Sequence, residues 1–269
     1  MKSRLRSNGI TLAYEECGSG DPLVLMMGLG APGSVWEQHA VEYQKHFHCF
    51  LVDNRGAGDS EKPEGPYTTA QMADDYAGLI RALNLGSVRV AGLSMGGGIA
   101  QELALRHPDL VRSMVLVCAW AKCDFYMRVV FEHFAKMRAV SRPEDFVQLL
   151  QLWIWTPAWM DEHAEDVVAA QRETAEAAAR GEFMPLAAFE AQCHACTHHD
   201  TTARLKEIAV PVLLTTGTDD IFVPMRCGEE LHRSIAGSDL HVFPGRGHVH
   251  HWESLDEFNQ VTTDWLLAH

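Results

Sequence analysis

No run of this 269-residue chain is both apolar and long enough to cross a bilayer: the longest, such as Pro22 to Ala31, fall far short of the ~20 residues a spanning helix needs. A membrane location is therefore not expected. Clusters of lysine and arginine are missing too. With 22 basic against 36 acidic residues the net charge is −14, so the surface field repels nucleic-acid phosphates and anionic lipid, and neither is expected as a partner. Cysteine is sparse and odd in number. Cys17, Cys49, Cys118, Cys123, Cys193, Cys196 and Cys227 are scattered, as free thiols of a reducing compartment are, which points to the cytoplasm. The opening Met1-Lys-Ser-Arg-Leu-Arg6 carries positive charge with no apolar segment behind it, so a signal peptide is not expected. Internal repeats and low-complexity tracts are also missing.

What is present is 47% hydrophobic, enough for one large α/β domain with an inserted subdomain. Strand patterns fall near Leu12–Glu16, Leu23–Met27, Cys49–Asp53, Ser87–Gly92, Met114–Cys118, Val212–Thr216 and Leu240–Phe243. Helical patterns fall near Trp36–His46, Thr69–Leu83, Met95–Arg106, Pro224–Arg233 and Ser254–Leu267. Several strands are continuous apolar runs, which predicts a doubly wound, mostly parallel sheet covered by helices on both faces. From 119 to 203 the strands stop and helical signals take over, predicting a helical cap inserted into a core made of residues 1–118 and 204–269. Ser141-Arg-Pro-Glu144 reads as a capping box, Thr156-Pro157 as the start of another helix, and Gly181 as a helix stop. This third of the chain holds 11 of the 23 aromatics. Most should build the insert's own core, while Trp120, Trp153, Trp155 and Trp159 are candidates for lining an apolar pocket.

The stretch Val90-Ala-Gly-Leu-Ser-Met-Gly-Gly-Gly98 holds Ser94 in a G-x-S-x-G pattern between a strand and a helix. Neighbours without a Cβ let a serine stand clear on a sharp, strained turn, and the helix behind it points free N–H groups and a positive dipole end at charge developing there. The bland alternative is a glycine-rich packing turn with an incidental serine. A serine hydroxyl needs a base, and the base needs an orienting acid. Downstream, Asp219 and Asp220 follow the strand Val212–Thr216, and His248 sits in a glycine-rich loop after the last strand, with His250 and His251 close behind. The chain order Ser, Asp, His suits this architecture.

These residues, with Met27-Gly-Leu-Gly30, Asp53-Asn-Arg-Gly-Ala-Gly-Asp-Ser60, Gly65-Pro-Tyr-Thr68, the Gly217–Pro224 loop and Gly247-His248 followed by Glu253, resemble the α/β-hydrolase fold superfamily. Within it the chain is similar to the esterase, 3-oxoadipate enol-lactonase, cofactor-free haloperoxidase and meta-cleavage-product hydrolase group. The resemblance implies Asp220 rather than Asp219 as the acid and His248 rather than His250 or His251 as the base. Oxyanion donors would be the N–H groups of Met95 and Leu29, with Gly28, Val249 and Trp252 near the substrate. The family usually has His-Gly where this chain has Met27-Gly28, which removes an imidazole that ties the loop down. The expected reaction is cleavage of a small, largely apolar ester or lactone through an acyl-serine, with no cofactor, and a homodimer is left open. Activity should fall as pH drops through about 6.5, where a free histidine protonates. The rivals are carbon–carbon hydrolysis of a ring-fission product, peracid formation, and a ligand-binding fold without turnover.

Weaker signals have blander readings. Cys193-His-Ala-Cys196 with His198 and His199 suggests zinc, yet Leu186–Thr197 reads as a packed helix and no second Cys-x-x-Cys follows. Gly28-x-Gly30 is a poor dinucleotide fingerprint, so no NAD or FAD is expected. Arg55 reads as a loop brace. Trp252 suits either a pocket wall or a staple for the last helix.

Overall fold

The computed structural model describes residues 2–269. Eight strands, β1 (Ser3–Ser7), β2 (Ile10–Gly18), β3 (Asp21–Met26), β4 (Phe47–Val52), β5 (Val88–Leu93), β6 (Val111–Val117), β7 (Val212–Gly217) and β8 (Asp239–Phe243), form one sheet in the order β1-β2-β4-β3-β5-β6-β7-β8. From β4 to β8 all pairs are parallel, whereas β2 runs antiparallel to both its neighbours. The doubly wound, mostly parallel sheet expected from the continuous apolar runs is what forms.

Both faces of the sheet are buried, and alternate side chains show why. Leu23 and Leu25 pack on one side with Trp36, Tyr43 and Phe258, whereas Val24 and Met26 pack on the other with Met72, Ile99 and Leu103. The first face is covered by α1 (Glu37–Tyr43), the second by α2 (Thr69–Ala82) and α3 (Met95–Arg106). Thr68 caps α2 by accepting the Gln71 N–H at 3.0 Å. Between β6 and β7 come α4 (Phe125–Val140), α5 (Pro143–Ile154), α6 (Pro157–Glu162), α7 (Ala164–Ala179) and α8 (Leu186–Thr197). The chain closes with α9 (Arg226–Ser234), α10 (His250–Glu253) and α11 (Leu255–Ala268), the last against the first face.

Two local expectations need correction. Ser141 makes no capping box: its N–H bonds the Met137 carbonyl and ends α4, and α5 begins at Pro143 after Arg142. Proline is preorganised for the first helical position, which forces the cap onto the residue just before it and leaves Ser141 one place too early. The strand β1 was not anticipated at all. It is a polar, half-exposed edge strand, and the Asn8-Gly9 turn that joins it to β2, with φ of 45° and 81°, was its only strong mark. Thr156-Pro157 does start α6, Gly181 does follow α7 at φ 74°, and the Arg55 brace is real. Its guanidinium makes two bonds of 2.8 and 2.7 Å to buried Asp75.

Candidate active site

The carboxyl ends of β3, β5, β6, β7 and β8 stand side by side, so the loops leaving them share one edge of the sheet. Ser94 leaves β5 at φ 54° and ψ −114°, a conformation side chains rarely adopt, and α3 starts at the next residue. The flanking glycines make this turn sterically possible. A Cβ on Gly92 would lie 2.4 Å from the Gly96 carbonyl oxygen, and one on Gly96 would lie 2.3 Å from the Met26 carbonyl oxygen. The turn is anchored by the Ser94 N–H, which bonds the Val117 carbonyl of β6 at 2.8 Å.

Across the edge, His248 Nδ1 lies 2.8 Å from Asp220 Oδ2, both side chains being buried. The other carboxylate oxygen accepts the N–H groups of Phe222 and Val223, each at 2.8 Å, so Asp220 is held on both sides. An ionised carboxylate only accepts, which puts the imidazole proton on Nδ1 and leaves Nε2 with a lone pair. Asp219 is exposed and bonds Thr218 instead. Burial opposes charge on His248, but its Cys118 and Asp220 neighbours outweigh that and hold its pKa above the usual histidine value. Nε2 has the Cys118 sulfur as its partner at 3.7 Å, and no hydrogen bond to the Ser94 hydroxyl forms among the described residues.

Ser94 and His248 line one cavity of about 180 Å³, together with Gly28, Leu29, Val249 and Trp252. Gly28 approaches so closely that a Cβ there would sit 3.3 Å from the Ser94 Cβ. The Leu29 and Met95 N–H groups have no acceptor among the described residues, as a helix start provides for Met95. Apart from His251 the rest of the wall is apolar: Leu150 and Ile154 of α5, Phe189 of α8, and Phe222 among them. Among the described residues neither lysine nor arginine lines it. Four expected wall residues lie elsewhere. Trp120 is in the core against Phe131, Trp153 packs on Phe134, and Trp155 and Trp159 stack on each other at 3.7 Å. Trp252 is a wall residue, and the residue it stacks on is Trp155 at the end of α5, at 5.6 Å, rather than the last helix. Helical periodicity identifies an apolar face without saying which part of it overhangs a cavity; Leu150 and Ile154, one turn apart on α5, were the readable signal that was missed.

The missing loop imidazole has two replacements. Asn54 Nδ2 bonds the Met27 carbonyl at 2.7 Å, and Gln192 Oε1 of α8 accepts the Gly30 N–H at 2.8 Å while its Nε2 bonds the Arg55 carbonyl at 2.8 Å. Gln192 is completely buried and joins α8 to the loop that carries Leu29. Gln192→Leu should strand the buried Arg55 carbonyl and the half-buried Gly30 N–H, costing ~1–3 kcal/mol of stability. If the Leu29 N–H serves as an oxyanion donor, the substitution should also lower kcat more than it raises KM, since it loosens the loop that carries that N–H. Parallel kcat and KM measurements check the split, and an effect confined to KM would count against it. The possible zinc donors do not gather: Cys193 and Cys196 are buried in the core, His199 bonds Thr69 at 2.9 Å, and His198 is exposed against His194.

The comparisons with known proteins agree with this architecture. The profile of the alpha/beta hydrolase fold family matches residues 21–255, and the chain belongs to that family. A curated relative, the "Putative carbamate hydrolase RutD" of Azorhizobium caulinodans, is 30% identical over 93% of this chain and 92% of its own. The "Putative non-heme bromoperoxidase BpoC" of Mycobacterium tuberculosis is 29% identical over 96% and 98%. Among solved structures, the enol-lactonase from Burkholderia xenovorans LB400 superposes with a TM-score of 0.89, at 26% identity, covering 98% of this chain and all of that one.

Proposed function

We propose that this α/β hydrolase cleaves a small, uncharged carboxylic ester or lactone through an acyl-serine intermediate. The observation that carries the reading is the pairing of Asp220 with His248 Nδ1, which makes Nε2 the ring nitrogen that accepts a proton once His248 is neutral, at the edge of the cavity that Ser94 lines. His248 takes the Ser94 proton as Oγ attacks the carbonyl carbon. The N–H groups of Leu29 and Met95 hold the oxyanion, and the imidazolium then protonates the departing alkoxide. Water repeats the sequence and frees the acid. The serine–imidazole bond closes on the bound substrate, as catalytic hydrogen bonds that are loose in free enzymes do. Two relatives named for a carbamate and an enol-lactone, both acyl compounds, support the bond type.

The wall chooses among substrates. With no lysine or arginine among the described residues lining it, a carboxylate on the substrate would find no permanent cation, only the imidazoles of His248 and His251, so much of its desolvation cost of several kcal/mol would go uncompensated. That disfavours an anionic ring-fission product and with it carbon–carbon hydrolysis. The test is a series of nitrophenyl esters and neutral lactones beside matched carboxylate-bearing ones. Neutral short-chain substrates should be turned over with a nitrophenol burst, and the anionic ones at least about tenfold less well. Equal rates for the two sets, or no burst with any ester, would overturn the proposal.

Because His248 must be neutral to accept the proton and its pKa is raised, the rise of kcat/KM with pH should have its midpoint above 6.5, higher than a free histidine predicts. A pH–rate profile flat from 6.5 upwards would contradict the assigned base.

A further inference from the structure

Cys118 is the side chain at this edge that hydrolysis does not use. It follows β6 directly, in a left-handed conformation with φ 42°, and its N–H bonds the Thr215 carbonyl of β7 at 2.9 Å. Val117, the residue before it, holds Ser94 by its carbonyl. The thiol is thus fixed by the same strand end that fixes the serine, and it faces the catalytic imidazole, which is 4% exposed.

We propose that Cys118 and His248 form a binding site for a thiophilic divalent cation such as Zn²⁺ or Cd²⁺, and that its occupancy shuts the enzyme off. The spacing is the first argument. A tetrahedral zinc ion with bonds of about 2.3 Å to sulfur and 2.0 Å to nitrogen separates those two atoms by about 3.5 Å, and here Sγ and Nε2 are 3.7 Å apart. The second is the carboxylate behind the ring. Asp220 on Nδ1 fixes the tautomer that offers Nε2 to a metal and makes it more basic, the usual support of a metal-bound histidine. Asp220 is not itself a ligand, since its oxygens are taken by His248 and by the Phe222 and Val223 N–H groups.

Charge balances. When the S–Zn bond forms, the thiol releases its proton to solvent, and the thiolate with the Asp220 carboxylate offsets the dication. No electron is transferred. Cys118 is buried behind the wall of the cavity that Ser94 and His248 line, so an ion would enter from the His248 side, with water from the cavity filling its remaining coordination positions. A bound cation occupies the lone pair that must accept the Ser94 proton, so inhibition rests on the proposed hydrolytic reading, whereas binding does not.

The experiment titrates the whole protein with Cd²⁺ without substrate and follows the ultraviolet thiolate-to-cadmium charge-transfer band. The wild type should saturate at one ion per chain. Cys118→Ala should lose the band although six other cysteines remain, with Cys118→Ser as the variant to use if alanine unsettles the turn. With an ester substrate, Zn²⁺ should inhibit the wild type and a chelator should restore the rate. The inhibition constant should rise at least about tenfold in the Cys118 variant, each protein being compared with its own metal-free rate. A band that survives loss of Cys118, or full wild-type activity at saturating Zn²⁺, would overturn the proposal. A Cys118-dependent band in a protein that turns over no ester would uphold the metal site and defeat the hydrolytic reading instead.

Discussion

Ser94→Ala is expected to fold like the parent and to lose at least ~10⁴-fold in kcat, because the reaction then lacks its acyl acceptor and only binding and oxyanion donors remain. The turn should survive, since its anchors are the backbone bond to Val117 and the neighbouring glycines rather than the hydroxyl. Asp220→Asn should cost about the same by another route. An asparagine can still accept the Phe222 and Val223 N–H groups through its oxygen, but that turns its NH₂ towards His248 Nδ1. The imidazole must then carry its proton on Nε2 and has no lone pair for the serine. Combining the two should cost little more than either alone, as residues acting as one unit do. Single-turnover release of nitrophenol measures all three. Either single variant within tenfold of wild type would remove its residue from the mechanism.

The geometry around Ser94 was legible because its demands are local. A strained turn needs glycines at fixed offsets, and Gly92, Gly96 and Gly97 surround Ser94 within five positions. The parallel sheet was legible for a similar reason, since a strand buried on both faces leaves a run such as Leu23 to Met26 with no polar position. What could not be read is what the topology alone brings together. Cys118 and His248 are 130 residues apart yet in contact. Gln192 is one polar residue on a helix, and nothing in α8 marks it as the replacement for a missing histidine on a loop 162 residues earlier. Trp155 and Trp159 attracted notice through their size, but which way a helix turns its aromatic face depends on the neighbours it packs against.

Stability should fall steeply between pH 6.5 and 4, because the chain buries four neutral histidines. Burial pushes His39 and His199 down to about 4 and His250 down to about 3, and it holds His251 well below the usual value. In the unfolded chain each titrates near 6.5. Below that pH the unfolded state takes up protons that the folded state refuses, so unfolding gains ground as pH falls. Each histidine costs about 1.4 kcal/mol per pH unit, or ~2 kcal/mol at pH 5, and four together approach ~8 kcal/mol, comparable with the whole stability of a typical domain. His248 does not offset this. Its pKa is raised in the fold to about 10, so its contribution is complete below 6.5, fades as pH rises from there towards about 10, and changes nothing between pH 6.5 and 4. Three of the four form a cluster beside the His248 loop: His39 and His251 rings lie 5.3 Å apart, and among the described residues His39 Nε2, His250 Nδ1 and His251 Nδ1 are buried without partners, while His199 lies apart, against Thr69. Denaturant titrations at pH 7.5, 6 and 5 should show the midpoint dropping at each step. His39→Gln, which cannot protonate, should reduce the slope of stability against pH by about one proton even if it lowers stability at neutral pH. A midpoint unchanged from pH 7.5 to 5 would mean that these imidazoles reach solvent when they protonate.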